Sequence, residues 1–493
     1  MSEDDLSATR RAKLERLRSS GVAYPNDFRP ADLAGDLQRD HESDDVAALE
    51  ARAREVVVAG RIQARRSFGK AMFVVVEDDS GRIQAYLRRD QLDEATWDLT
   101  TTLDLGDWIG VRGTVFRTRT GELTVQAEEL RLIAKCLHPL PEKWHGLSDV
   151  EIRYRQRYLD LIANGEVRET FRRRATILAG IRRFLSERGF LEVETPILQT
   201  IAGGAAARPF VTHHNTLDMT LQLRIAPELF LKRLLVGGFS RVFEIGRNFR
   251  NEGLSTQHNP EFTMLEFYLA YATYEDLLPL VAELFAALAQ ELHGTTEIAY
   301  GEHRLDLAPP WKRISLLEAT AERAGCSPAD LRSDSTAQDV ARRHHVTPPP
   351  GSGAGGIATA LFEHFVEPEL VQPTFVTGFP REVSPLARPS DADPFLVDRF
   401  ELYAVGREMA NGFSELNDPD DQRERFQAQL QRGAAGDEES HPMDEDYVTA
   451  LEYGMPHAAG CGIGIDRLVM LLCDLPSIRD ALLFPLLRAP RGS

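Results

Sequence analysis

The 493-residue sequence is short of cysteine, and its four copies, Cys136, Cys326, Cys461 and Cys473, form neither a CxxC pair nor zinc-finger spacing. That excludes a disulfide framework and a structural zinc and fits a reducing compartment. Long apolar runs are missing too. The most apolar stretch, Leu277 to Leu292, is broken by Glu283 and Glu291, and Met1-Ser2-Glu3-Asp4-Asp5 leads into charge without an apolar signal region. The expectation is a cytoplasmic chain that is neither exported nor membrane-spanning. Positive charge is in deficit: 57 Lys+Arg face 76 Asp+Glu, a net charge of -19. Nonspecific adhesion to membranes or nucleic acid is therefore disfavoured, and any polyanion must be met by a local basic patch. Residues 52–135, with 14 Lys/Arg and 13 Asp/Glu by direct count, are +1 inside this acidic chain.

What is present is enough apolar material, 43% of residues, for at least one large core and two or three domains. Residues 7–19 read as a charged helix, followed by an irregular acidic connection with a turn at Pro25-Asn26-Asp27. From Val56 short strand-like runs begin: Val56–Val58, Met72–Val76, Arg82–Leu87, Trp108–Arg112 and Leu123–Ala127, separated by turn signals such as Asp79-Ser80-Gly81 and Thr120-Gly121-Glu122. Five short strands in about eighty residues suggest a small barrel of the OB type, with an SH3-like barrel as the alternative. After Pro139 and Pro141 helices mix with longer strands. A helix spans Arg172–Arg188, where Ile177, Ile181, Phe184 and Leu185 share a face and Gly189 supplies the stop. The Pro348–Gly356 tract reads as a loop at the edge of an insertion.

Three segments carry chemistry. Glu192-Val193-Glu194-Thr195-Pro196 is a strand ended by proline, which belongs at an edge, a bulge or a subunit boundary. Val242–Glu252 and Asn259–Tyr268 form a strand, loop, strand unit. Alternation puts Phe262, Met264, Glu266 and Tyr268 on one face, and an apolar face holding a carboxylate and a phenol calls for a ligand or a partner. Gly460–Leu472 is a glycine-rich strand and turn opening an apolar helix. It lacks the GxGxxG spacing and the lysine of a phosphate-binding loop. Its glycines suit close approach of backbone to a flat ligand or a neighbouring strand, with Arg467 reaching an anion. A further alternating run, Asn411 to Glu415, puts Asn411, Phe413 and Glu415 on one face. Glu401 and Glu408 are carboxylates of a type that holds Mg²⁺ against phosphates.

In this order the segments resemble the three signature motifs of class II aminoacyl-tRNA synthetases, over nearly the whole chain. The blocks Arg153–Leu161, Gly203–Phe210, Arg224–Leu229 and Asn411–Asn417 are similar to those of bacterial-type lysyl-tRNA synthetases. The resemblance implies an α+β chain: an N-terminal helical extension (1–50), an OB-fold β-barrel that binds the anticodon (51–138), a linker (139–165), and a catalytic domain (166–493) with an antiparallel sheet flanked by helices and an insertion around 315–375. It implies ligation of L-lysine to tRNA(Lys) through a lysyl-adenylate made from ATP with Mg²⁺, in a homodimer contacting through the region that ends at Pro196.

Carried over by position, Arg250 and Asn411 would hold the lysine carboxylate, while the Gly204 carbonyl and Glu228 would take the α-ammonium. Glu266, Tyr268 and Glu415 would surround the ε-ammonium. Glu252 and His258 would lie near adenine or the outer phosphates, Phe262 would stack on the base, and Arg467 would oppose it or hold the γ-phosphate. Arg250 and Arg467 would be the catalytic cations, and Glu401 and Glu408 the metal ligands. In the barrel Phe73 and Gln84 would stack on and read an anticodon uridine, with Arg61, Arg65, Arg66 and Lys70 on the phosphates. Ala202 departs from the proline common before the double glycine. An aspartyl or asparaginyl enzyme would need a cationic or amide-reading pocket where this chain has Glu266 and Glu415, a protein-modifying lysine ligase would not need the barrel, and a silent RNA-binding protein would not need the motif arginines and carboxylates.

Overall fold

The computed structural model describes residues 3–21, 23–141, 147–434 and 442–489. The chain divides into two compact units, Met1–Ser148 and Asp149–Ser493.

In the first unit, helix α1 (Glu3–Ser20) precedes five strands. These are β1 (Glu55–Phe68), β2 (Ala71–Glu77), β3 (Arg82–Arg88), β4 (Trp108–Arg117) and β5 (Leu123–Ala134), which close a barrel in the order β1-β2-β3-β5-β4. Its pairs are antiparallel except β3 with β5. Alternation builds it: Val56, Val58, Val74, Val76, Ile83, Ala85 and Leu87 are buried inside, leaving Phe73, Gln84 and Tyr86 on the outer surface. The strands outrun the apolar runs in the sequence because residues flanking such a run need only continue the hydrogen-bond ladder. Helix α1 is tied to the barrel by Arg10, whose Nη1 donates to the carbonyls of Leu105 (3.1 Å), Cys136 (3.0 Å) and His138 (2.9 Å).

The second unit is built on eight strands: β6 (Leu191–Glu192), β7 (Arg241–Phe249), β8 (Glu261–Ala270), β9 (Lys312–Ser315), β10 (Thr374–Thr377), β11 (Arg399–Ala404), β12 (Arg407–Ser414) and β13 (Ala458–Gly464). Their order is β9-β10-β11-β12-β13-β8-β7-β6. The sheet is antiparallel except at its two edges, where β9 with β10 and β7 with β6 are parallel. Among its helices are α2 (Gly165–Glu187), α3 (Glu228–Val236), α4 (Tyr274–His293), α5 (Ala354–Phe365) and α6 (Ile465–Cys473). Leu265 and Phe267 of β8 point into a core with Ile177 and Phe184 of α2, Leu277 and Phe285 of α4, and Leu468 of α6. The opposite face of the same strand is thereby left for the site.

Helix α2 begins seven residues before the predicted Arg172, and it ends as its sequence indicates. Gly189 takes φ +78°, its amide reaches the Ser186 carbonyl at 3.0 Å, and the Phe190 amide reaches that of Leu185 at 3.1 Å. This closes the helix with a Schellman pair. The Pro348–Gly356 tract corrects the sequence reading, because helix α5 starts inside it at Ala354. Glycines disfavour a helix by about 1 kcal/mol each. Here a carboxylate from outside compensates: Glu382 accepts from the amides of Gly353 (2.7 Å), Gly355 (2.9 Å) and Gly356 (3.2 Å). A Cβ on Gly355 would stand 2.7 Å from Pro380 Cβ, so the close approach that allows this cap needs glycine.

Candidate active site

A cavity of about 380 Å³ opens on the free face of the sheet. Gly204, Glu228, Arg250, Glu252, His258, Phe262, Glu266, Tyr268, Glu401, Glu408, Asn411 and Arg467 line it. The register explains how. Gly462 of β13 lies between Glu266 of β8 and Asn411 of β12, and Gly460 lies opposite Tyr268 and Phe413. A Cβ on Gly460 would sit 2.3 Å from the Tyr268 ring and 2.4 Å from Glu415 Oε1. The glycine row therefore keeps the middle strand bare, so that side chains from both neighbours converge over it.

At one end of the cavity the groups are acidic. Glu266 is buried and its carboxyl is pushed up to about 8, chiefly by burial, with the charge of Glu228 adding to it. The Tyr268 hydroxyl donates to Glu266 at 3.0 Å. Gly204, at φ +91°, packs so closely on Glu228 that a Cβ would stand 2.9 Å from that residue's own Cβ. Glu415 does not line the cavity. It is buried behind the wall and paired with Lys232 of α3, whose ammonium also contacts Glu228 Oε1 at 2.6 Å. At Ala202 the departure from proline has a visible use: its amide donates to Gln222 Oε1 at 2.8 Å, a bond proline could not make.

The other end is cationic and acidic together. Arg250 lies over the Phe262 ring, 5.1 Å from its centre, and its buried Nε has no hydrogen-bond partner among the described residues. The Arg467 guanidinium donates to the Glu408 carbonyl at 2.7 Å and to His258 Nε2 at 3.3 Å. Since Nε2 accepts from arginine, the ring proton sits on Nδ1, which faces Ser255 Oγ at 3.0 Å. Burial and Arg467 hold the His258 pKa below its usual value, so the ring is neutral at pH 7. Glu401 is pushed up to about 7 by burial, with the charge of Glu408 adding, although Arg399 lowers it.

Arg399 and Lys232 are the site residues that sequence reasoning missed. Arg399 donates to Asn411 Oδ1 at 3.1 Å, to Ser384 Oγ at 2.8 Å and to Glu401, joining the two ends of the cavity. Its signal was its place two residues before Glu401 on one strand face. That of Lys232 was its place four residues after Glu228 on a helix.

In the barrel Phe73 stacks on Tyr86 with ring centres 4.4 Å apart and planes 18° apart, and the Gln84 side-chain amide donates to Thr124 Oγ1 at 2.9 Å. Arg61 donates to the Gly106 carbonyl at 2.9 Å and covers Trp108 at 4.8 Å. Arg65 is bound to the Leu103 carbonyl, whereas Arg66 and Lys70 are exposed, Arg66 directly opposite Phe73. The basic cluster thus splits into two arginines engaged by the barrel and two cations on its surface.

Residues 149–488 match the family described as tRNA synthetases class II (D, K and N). The chain belongs to the class II tRNA synthetases. Residues 56–133 match the OB-fold nucleic acid binding domain. Among curated relatives, a heat-inducible lysine–tRNA ligase of Escherichia coli K12 is 54% identical over 487 residues, 98% of this chain and 96% of that one. The lysine–tRNA ligase of Halalkalibacterium halodurans is 52% identical over 486 residues, covering 98% and 97%. That of Coxiella burnetii (strain Dugway 5J108-111) is 52% identical over 488 residues, covering 99% and 98%. The cavity lies on the sheet of this class II synthetase domain, and among the described residues no helix is long and apolar enough to cross a membrane.

Proposed function

We propose that this class II synthetase activates L-lysine with ATP and transfers it to the 3′ end of tRNA(Lys). The observation that carries the reading is Glu266, a buried carboxylate on the cavity wall that, among the described residues, is hydrogen-bonded by a phenol and not by a cation. A site built this way is completed by an ammonium group, and a neutral or acidic side chain would leave the charge unpaired. Glu266 and Tyr268 face the ε-ammonium with Glu415 behind them, paired with Lys232, the Gly204 carbonyl and Glu228 take the α-ammonium, and Arg250 with Asn411 holds the carboxylate.

That carboxylate is itself the nucleophile. It attacks the α-phosphorus of ATP as pyrophosphate departs in line, so no nucleophile from the protein is needed. Arg250 has a buried donor with no hydrogen-bond partner among the described residues, suited to charge developing on the α-phosphate, an effect worth a few kcal/mol per donor. Phe262 stacks on adenine, Glu252 and His258 lie near the base or the outer phosphates, and Arg467 meets the base or the γ-phosphate. His258, neutral and held between Ser255 and Arg467, orients and does not act as a base.

Glu401 and Glu408 fit Mg²⁺ in a limited way. They supply two carboxylates, and Glu401 is raised mainly by burial with the charge of Glu408 adding, so phosphate oxygens and water would complete the shell. When bound there, the ion neutralises phosphate charge. In the barrel, Phe73 and Gln84 stack on and read an anticodon base, Arg66 and Lys70 offer surface charge for phosphates, and Arg61 lends its edge beside Trp108. Two copies form a homodimer in the cytoplasm. Support for pairing comes from the exposed apolar side chains around Pro196, among them Leu191, Ile197, Leu198 and Val211.

Lysine-dependent ATP–pyrophosphate exchange without tRNA is the deciding assay. Its absence, or stimulation by aspartate instead, would overturn the assignment.

A further inference from the structure

Lys232 is completely buried, and its ammonium contacts Glu228 and Glu415 together. Both are carboxylates that the proposed reading gives to the substrate. Around it stand Glu228 on its own helix, Glu415 just beyond β12, Tyr447 with its ring centre 6.0 Å away, and the Phe413 ring at 5.3 Å. Glu266 of β8 acts on Glu415, both Glu228 and Glu415 act on Tyr268, and Arg399 acts on Glu228. Arg233 beside it is engaged with Asp444 at 2.9 Å.

We propose that Lys232 is a built-in counter-ion of the amino-acid pocket, a positioning residue that aims Glu228 and Glu415 and favours their ionised forms against burial, and so sets how many ammonium groups the pocket accepts. Three carboxylates, Glu228, Glu266 and Glu415, against one ammonium leave a deficit of two positive charges. Lysine brings two ammonium groups, and its carboxylate is matched by Arg250. Without Lys232 the deficit would be three, and burial would make one more carboxylate take up a proton at neutral pH. That proton would have to leave each time lysine binds. The inference rests on the lysine reading of the cavity.

The test is titration calorimetry of the full-length protein with L-lysine in buffers of different ionisation enthalpy, which counts protons released on binding. Lys232→Met should weaken lysine binding at least tenfold at pH 7, leave ATP binding unchanged, and release one more proton than the wild type. The double variant Lys232→Met with Glu415→Gln removes the cation together with one carboxylate, so its proton count should return to that of the wild type while affinity stays low. An unchanged proton count in Lys232→Met, or an extra proton in the double variant, overturns the proposal. Should Lys232→Met fail to fold, as judged by lost ATP binding, the double variant decides alone, and its failure too would show a purely structural lysine and overturn the inference. Wild-type protein that binds no lysine would instead refute the reading of the cavity.

Discussion

A single carboxylate illustrates how burial becomes specificity. Because burial raises the Glu266 carboxyl to about 8, the protonated form dominates below that pH, and an ammonium ligand needs the ionised form. The KM for lysine in the exchange assay should therefore fall as pH rises from 6 to 8 and level off above. Glu266→Gln should abolish that limb and raise the KM by about 10- to 100-fold, corresponding to roughly 1.5–3 kcal/mol for a lost hydrogen bond to a charged group. A pH profile unchanged by the substitution would place the titration elsewhere. Arg399 offers a second test at the same scale. It holds Asn411 on the lysine side and Glu401 on the phosphate side, so Arg399→Met should raise both the lysine KM and the Mg²⁺ concentration at half-maximal exchange. A change in lysine KM alone would show that the bridge to Glu401 is idle.

Two elements owe their form to neighbours far away in sequence. Strand β13 is bare where the cavity needs room, and Gly460→Ala would press a methyl group against Tyr268 and Glu415. Overpacking of this kind costs about 1–3 kcal/mol, so the thermal midpoint should drop and the lysine KM should rise while the KM for ATP changes little. Equal losses for both substrates would mean that the whole sheet has shifted. Helix α5 depends on Glu382 for its first turn. Glu382→Ala should lower stability by about 1–2 kcal/mol, the loss of a helix cap, measured by chemical denaturation.

At the scale of the molecule, the proposed reading has the acidic chain meet the anticodon through one small barrel. Phe73→Ala should reduce tRNA charging by about 10- to 100-fold, since stacking is worth roughly 1–3 kcal/mol per base, and leave lysine-dependent exchange nearly intact. An equal loss in both assays would show that the barrel is not an independent reader. Arg66→Glu with Lys70→Glu should weaken tRNA binding further and flatten its salt dependence, because counter-ion release follows the number of phosphate contacts.

Local physics was legible in the sequence wherever a pattern repeats along the chain. The alternation of β8 put Phe262, Met264, Glu266 and Tyr268 on one face, and that face lines the cavity. The five short strands made a closed barrel, and Gly189 ended its helix. Tertiary structure alone decided what meets across the sheet. Glu228 and Glu415 are 187 positions apart in the chain, yet one buried lysine touches both, and a glutamate beyond the insertion caps a helix inside a glycine tract. Periodicity fixes the face on which a side chain stands, but its partner depends on strand order, which no local pattern encodes. Glu266 and Glu415, singled out in the sequence as one lysine detector, accordingly sit in different places: Glu266 on the cavity wall, and Glu415 behind it, held by a cation of the protein's own.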